Sequence, residues 1–133
     1  MVRLTFVAAC VAISGCATPQ VASQPLTGSW GGTHVGLTLD AVGGQLDYDC
    51  AAGTIVGPVK VDDAGLFRAT GTHTPGTGGP VQQGHVPPAF PATYQGKVRG
   101  DAMTLSISVP SRGFVIGPYE LRRGVDPRLM RCL

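Results

Sequence analysis

The residues of this chain whose types could carry out chemistry are two aspartates and three histidines. Asp47 and Asp49 alternate with other residues in a predicted strand, which places both carboxylates on one face, about 7 Å apart. Hydrolysis by paired carboxylates needs groups that oppose each other across a cleft. We therefore expect Asp47 and Asp49 to be solvated charges on the surface. His34, His73 and His85 have no metal-ligand spacing. We expect surface positions for them and no metal site.

Sequence motifs of the common enzyme classes are absent. The chain contains no Gly-x-Ser-x-Gly or Ser-x-x-Lys pattern, and its glycines follow predicted strands without opening a helix that could bind phosphate. Glu120 is the only glutamate and has no predicted partner. We therefore expect a protein without catalytic activity or cofactor. A hydrolase that depends on Asp47, Asp49 or Glu120 is the enzymatic alternative.

The first fifteen residues have the organisation of a bacterial signal peptide. Arg3 supplies a positive charge, and residues 4–13 are an apolar run. Such a run is too short to span about 30 Å of hydrocarbon as a helix. We therefore predict a signal peptide over residues 1–15, and Cys10 leaves with it.

The apolar run ends in Ile13-Ser14-Gly15-Cys16, where an apolar residue and two small residues precede a cysteine. This pattern resembles the lipobox of bacterial lipoproteins. The resemblance implies cleavage before Cys16, a diacylglycerol thioether on its thiol and usually a further acyl chain on its amino group. Two or three acyl chains give durable anchoring where one does not. Ala17 is similar to the residue found in lipoproteins of the outer membrane. The alternative is an ordinary secretory signal cleaved near Ala17.

Two cysteines, Cys50 and Cys132, remain in the predicted mature chain besides the lipidated one. In an oxidising periplasm, a lone cysteine pair in a small domain usually forms a disulfide. This bridge would close a loop of about 83 residues, for which the chain-entropy model gives roughly 4–5 kcal/mol. A reactive thiol pair is the alternative, but the Cys-x-x-Cys spacing of redox enzymes is missing. We predict a structural bridge that holds the C-terminus to an early strand.

Length and charge limit the classes of partner. Residues 16–133 suffice for one domain, and they carry nine Lys and Arg residues against eight Asp and Glu residues, a net charge of +1. This balance gives no electrostatic case for nucleic-acid binding. Four arginines gather near the end of the chain: Arg122, Arg123, Arg128 and Arg131. We expect a solvated last strand and tail there, and a site for an anionic envelope polymer is the alternative.

Alternating apolar and polar residues, without a helical period, predict an all-β domain over residues 27–133. The apolar positions that define the strands are Leu37 and Leu39; Leu46, Tyr48 and Cys50; Val59 and Val61; Met103, Leu105, Ile107 and Val109; and Phe114, Ile116 and Leu121. Glycine-containing turns separate them at residues 41–44, 62–65, 99–101 and 110–113. We predict an antiparallel meander of seven or eight strands, closed as a small barrel or folded as a sandwich, with Cys50 turned inward.

Two segments interrupt this pattern. Residues 16–26 are small, polar and proline-containing, which is typical of a flexible tether. Residues 72–91 are rich in proline and glycine, which are disfavoured in strands, and predict a long loop. Because binding residues concentrate on loops, we expect His73 and His85 to be candidates for contact with a ligand or a partner.

Trp30, the sole tryptophan, lies in Gly28-Ser29-Trp30 at the first predicted strand. Gly-x-Trp in this position resembles the calycin barrels, that is, lipocalins and avidins. The resemblance implies a tryptophan packed across one end of a barrel, and it implies a carrier of a small apolar ligand that contacts Trp30. The chain departs from avidins, whose biotin sites are rich in tryptophan.

Tyr48-Asp49-Cys50 together with Cys132 is similar to the layout of periplasmic lysozyme inhibitors of the membrane-bound, C-type-directed kind. These are lipoproteins with a small antiparallel barrel, an aromatic-x-Cys strand and a second cysteine near the C-terminus. From all these features we expect a non-catalytic binding or accessory module, anchored in the membrane through Cys16, whose partner is a protein or a small apolar ligand and not a nucleic acid. The anchor indicates the outer membrane, facing the periplasm.

Overall fold

The computed structural model describes residues 14–16, 24–76 and 80–132. Eight antiparallel strands pair in chain order and close into a barrel, so the predicted all-β meander is confirmed. The strands are β1 (Gly28–Gly32), β2 (Val35–Leu39), β3 (Gly43–Tyr48), β4 (Ala51–Val56), β5 (Leu66–Pro75), β6 (Phe90–Arg99), β7 (Ala102–Val109) and β8 (Phe114–Arg123), with a 3-10 helix (Pro110–Arg112) before β8. The predicted signal peptide and tether fall largely on residues 1–13 and 17–23, outside the described residues.

The two ends of the barrel carry different connections. We call the end at which β1 begins the lower end; it carries residues 40–42, 57–65 and 100–101. The upper end carries the β1–β2 and β3–β4 turns, the 3-10 helix and the connection between β5 and β6. That connection, described at residues 76 and 80–89, is called the upper loop.

Alternate side chains of the strands fill the barrel. In β7, Met103, Leu105, Ile107 and Val109 are buried, whereas the residues between them reach solvent. Large residues from the other strands complete this core: Trp30, Leu37, Leu46, Tyr48, Ile55, Phe67, Tyr94 and Leu121. A barrel of eight strands has an interior just wide enough for side chains to fill.

The strand predicted through Cys50 ends earlier than expected, and the strand predicted at Val59 and Val61 does not form. β3 ends at Tyr48, and Cys50 lies in the following turn, exposed, with φ of 60°. The chain reverses direction there, so the alternation that buries Leu46 and Tyr48 does not extend to Cys50. Val59 is in no strand; it follows Pro58, which lacks the N–H that a strand would use.

Val59 instead closes the lower end. Its side chain is buried, and its carbonyl accepts a hydrogen bond from Leu26 N at 2.7 Å. The segment before β1 is therefore attached to the connection between β4 and β5.

The long loop is shorter than predicted. β5 continues through Pro75 and β6 begins at Phe90, with His73 paired to Phe90 across the two strands. Pro75 is the last residue of its strand, where a missing ladder N–H costs little. The proline and glycine content of residues 72–91 predicted a loop over these strand ends, and that part of the prediction was wrong.

The segment after β8, residues 124–132, crosses the outer surface towards the upper end; we call it the strap. Arg128 N donates to Gly32 O at 3.0 Å, and Cys132 forms the predicted disulfide with Cys50, with a Cα–Cα distance of 5.1 Å. The strap passes over Gly36, where an added Cβ would lie 2.8 Å from Pro127 Cγ. A glycine is therefore needed beneath it.

Candidate functional site

A cluster of aromatic and histidine side chains lies inside the barrel near the upper end. His73 is buried there with 4% exposure, so its predicted surface position was wrong. The alternation that buries Phe67 and Ala69 in β5 continues to His73, in the part of the strand that composition assigned to a loop. Its Nδ1 shares a hydrogen bond with the hydroxyl of Tyr48, and the ring of Phe114 meets it edge-on at 5.7 Å.

Two further tyrosines extend this cluster. The hydroxyl of Tyr94 donates to Thr72 O at 2.5 Å, and the ring of Tyr119 lies 6.4 Å from that of Tyr48. Gly53 makes room for Tyr94, because an added Cβ would stand 2.1 Å from the phenol oxygen. The polar groups of the cluster are thus satisfied within a closely packed interior.

Burial keeps these groups uncharged. It raises the pKa of Tyr94 to about 12 and raises the pKa of Tyr48 well above its ordinary value. Burial, followed by the positive charge of Arg112, lowers the pKa of His73. The neutral Tyr48 phenol, hydrogen-bonded to the neutral His73 imidazole, links β3 to β5 inside the barrel.

Acid is expected to destabilise the barrel through His73. Because its pKa in the folded state lies below the ordinary value of about 6.5, the unfolded state binds more protons, and stability present above that value is lost as the pH falls. Urea unfolding is expected to show a smaller loss between about pH 7.5 and pH 5 in His73→Gln than in the wild type. The variant His85→Gln, changed at an exposed position, is the control. Equal pH dependence in the wild type and His73→Gln would contradict this role.

Trp30 is the second buried aromatic feature, at the lower half of the barrel. Its ring is 1% exposed, and the guanidinium of Arg123 stacks on it at 4.3 Å. Arg123 also donates to Thr27 O at 2.9 Å and pairs with Asp101 at 3.3 Å. The indole N–H has no partner among the described residues. Trp30 is therefore a core residue covered by Arg123, and in this conformation it offers no surface to a partner.

The four C-terminal arginines do not form one basic site. Arg123 is engaged with Trp30, as described above. Arg122 and Arg128 line a groove of about 740 Å³ beside the strap, together with the carboxylates of Glu120 and Asp126. Charges of both signs meet in this groove, which does not favour a purely anionic ligand.

The predicted pairing of Asp47 and Asp49 on one strand face was wrong. Asp47 is exposed on β3, whereas Asp49 lies beyond the strand in the turn. The Asp49 carboxylate accepts hydrogen bonds from the His34 ring and from Met130 N, the latter at 2.7 Å. Asp49 thus joins the β1–β2 turn to the strap.

Exposed apolar side chains gather at the upper end. They come from the upper loop, from the start of β8 and from the strap: Val81, Val86, Phe114, Val115, Leu129 and Met130. Pro75, Pro87, Leu129 and Met130 line a groove of about 730 Å³ next to the disulfide. His85 is exposed in the upper loop, close in sequence to Val86. We call these apolar side chains and this groove the upper surface.

Cys16, the predicted lipidation site, is a free and exposed cysteine. Within the described residues, no group of three or more metal-ligand side chains comes together. The same residues include no helix long and apolar enough to cross a membrane. Comparison with protein-family models, curated proteins and solved structures returned no match to this chain.

Proposed function

We propose that the protein is an acyl-anchored binding module of a bacterial envelope, attached through Cys16, which acts without catalysis and presents its upper surface to a partner protein. The observation that carries the proposal is the concentration of exposed apolar side chains at the upper end. Val86 is 84% exposed and Met130 is 64% exposed. Met130 also shares a groove with Pro75, Pro87 and Leu129, and contiguous exposed apolar groups on a small domain commonly mark an interaction site.

The position of the chain entry supports the same proposal. Leu26 joins the barrel at its lower end through Val59, so an anchor at Cys16 attaches the barrel by the end opposite to the upper surface. The groove beside Met130 has walls stiffened by Pro87 and by the Cys50–Cys132 bridge. A rigid apolar groove binds a partner with little loss of conformational entropy.

The carrier of a small apolar ligand has less support. Such a carrier needs an interior cavity, but the described barrel interior is filled by side chains such as Trp30, Phe67 and Tyr94. A ligand inside would have to displace well-packed aromatic rings. The same filled interior supports the expectation that binding takes place on the outside of the barrel.

Inhibition of a C-type lysozyme is the second candidate function, and the Cys50–Cys132 bridge favours it. That bridge lies at the upper surface of a small antiparallel barrel, as the resemblance to membrane-bound lysozyme inhibitors implies. The candidate requires the purified protein to inhibit a C-type lysozyme in a cell-wall clearing assay. Full lysozyme activity with excess protein would eliminate it and leave the general proposal standing.

The general proposal is tested by photo-crosslinking in the native envelope. A photoreactive residue at Val86 or Met130 is expected to capture a specific protein, and the same residue at Val56, at the lower end, is the matched control. Met130→Asp is expected to reduce capture from position 86 at least tenfold, because an unpaired charge is costly to bury in an apolar interface. Capture of the same protein from all three positions would contradict the proposal.

A further inference from the structure

The lower end also carries exposed apolar side chains, which form a distinct set. Val42 and Val56 are 76% and 70% exposed. They are neighbours, because Val56 pairs with Gly43 across β3 and β4. Leu66, at the start of β5, is half exposed on the same end. No described part of the chain covers these three side chains.

Three cations lie between and beside these apolar residues. Lys60 is in the connection that follows β4, Lys97 pairs with Leu66 across β5 and β6, and Arg99 ends β6. We call this set the lower rim: Val42, Val56, Lys60, Leu66, Lys97 and Arg99. It combines three apolar side chains with three cations.

The nearby carboxylates are largely turned to their own backbone. Asp40 accepts hydrogen bonds from Val42 N at 2.8 Å and Gly43 N at 2.9 Å. Asp62 accepts from Ala64 N and Leu66 N, both at 2.9 Å. Both carboxylates are exposed and keep their charge, but neither forms an ion pair with Lys60, Lys97 or Arg99 among the described residues. Asp63 and Asp101 are further exposed acidic residues on this end, and Asp101 pairs with Arg123 at 3.3 Å.

The chain also enters the barrel at this end. Leu26 is bonded to Val59 there, and Cys16 lies ten residues earlier in the sequence. Ten residues span at most about 35 Å even when fully extended. Acyl chains on Cys16 would therefore keep Leu26, and with it the lower end of the barrel, close to the lipid headgroups.

We propose that the lower rim docks on the anionic phospholipid surface of the bilayer that holds the Cys16 acyl chains. This inference rests on the acyl anchor in the proposed function. Valine and leucine side chains enter the headgroup region, and Lys60, Lys97 and Arg99 lie over anionic headgroups. A short linker makes this second contact intramolecular, so a weak intrinsic affinity suffices. Docking holds the upper surface away from the bilayer, in reach of a partner.

Hydrogen exchange on the acylated protein in vesicles tests this docking. With phosphatidylglycerol mixed into phosphatidylcholine, amides of residues 40–43 and 57–66 are expected to exchange more slowly than with phosphatidylcholine alone. Residues 110–113, at the upper end, are expected to exchange equally in both. The difference should disappear in Lys60→Gln/Lys97→Gln/Arg99→Gln and persist in the control Arg112→Gln/Arg131→Gln. Equal exchange at the lower end in both vesicles would overturn the proposal.

A second measurement separates the surface from the anchor. The mature chain with Cys16→Ser, which cannot be acylated there, is sedimented with the same anionic vesicles. Binding is expected to be weak, to decline with salt and to fall at least tenfold in the triple Gln variant, since each surface cation contributes about fivefold. If binding occurs here but native Cys16 carries no lipid, the proposed anchor fails and the surface stands. If this chain does not bind anionic vesicles at any salt, the surface fails whatever Cys16 carries.

Discussion

Replacing Trp30 by alanine is expected to lower the free energy of unfolding by about 3–5 kcal/mol, the range measured for buried Trp and Phe. Trp30 is 1% exposed, and it packs in the barrel core under the guanidinium of Arg123. The substitution removes the largest core side chain and leaves a cavity. It also removes the ring on which the Arg123 guanidinium stacks. Urea denaturation followed by circular dichroism measures the change.

Trp30→Phe is the informative companion variant. Phenylalanine retains an aromatic ring beneath Arg123, and it removes an indole N–H that has no hydrogen-bond partner among the described residues. We therefore expect a loss clearly smaller than that of Trp30→Ala. A double-mutant cycle that combines Trp30→Ala with Arg123→Gln is expected to show a coupling energy of about 0.5–2 kcal/mol, as for cation–π pairs. A loss below about 1 kcal/mol in Trp30→Ala would contradict the core role.

Removing the Cys50–Cys132 bridge by the double substitution Cys50→Ser/Cys132→Ser is expected to cost about 2–5 kcal/mol. The bridge joins residues separated by 82 positions, so it restricts the unfolded chain strongly. In the folded state it holds the end of the strap. Amides of Arg128 and Met130, which donate to Gly32 O and Asp49, are expected to exchange faster. Urea denaturation and hydrogen exchange measure the two effects.

Gly36→Ala provides a control that loosens the strap with the bridge intact. Its added Cβ meets Pro127, so the strap must shift, but the unfolded chain stays crosslinked. We expect faster exchange at Arg128 with a smaller loss of stability than in the double serine variant. Unchanged stability in the double serine variant would show that the bridge does not hold this fold together.

The sequence predicted those strands in which alternation and turn residues agree. Met103, Leu105 and Ile107 alternate with small polar residues between two glycine turns, and β7 forms there. The pairing of Cys50 with Cys132 was also predictable, because only two cysteines remained once Cys10 and Cys16 were assigned elsewhere. The strand follows from a local pattern and the disulfide from the number of cysteines left. Neither inference requires knowledge of tertiary contacts.

The features of the candidate sites depend on contacts between distant residues. His73 is polar and lies between prolines and glycines, so composition indicated a loop; only its pairing with Phe90 shows that a strand buries it. The sequence placed Arg123 in a basic tail. In the structure, the register of β1 and β8 pairs it with Trp30, and its guanidinium covers the Trp30 ring. Gly36 carries a weak signal, since a glycine in a strand interior indicates close approach of another segment.

The two ends of the barrel have different roles in these proposals, namely lipid docking at the lower end and partner binding at the upper end. The lower end contains the chain entry and the cations of the lower rim, and the upper end contains the disulfide and the apolar groove. A filled barrel acts in this proposal as a rigid spacer between a lipid surface and a partner protein. This arrangement requires the protein to be acylated at Cys16, because a released domain would lose its orientation.

Intact-mass spectrometry of the protein extracted from its own membrane tests this requirement most directly. The account predicts a chain that begins at Cys16, carries the added mass of two or three acyl chains and lacks two hydrogens because Cys50 and Cys132 are bonded. A chain that keeps residues 1–15, or begins at Cys16 or Ala17 without acyl mass, would contradict the account of an acyl-anchored module.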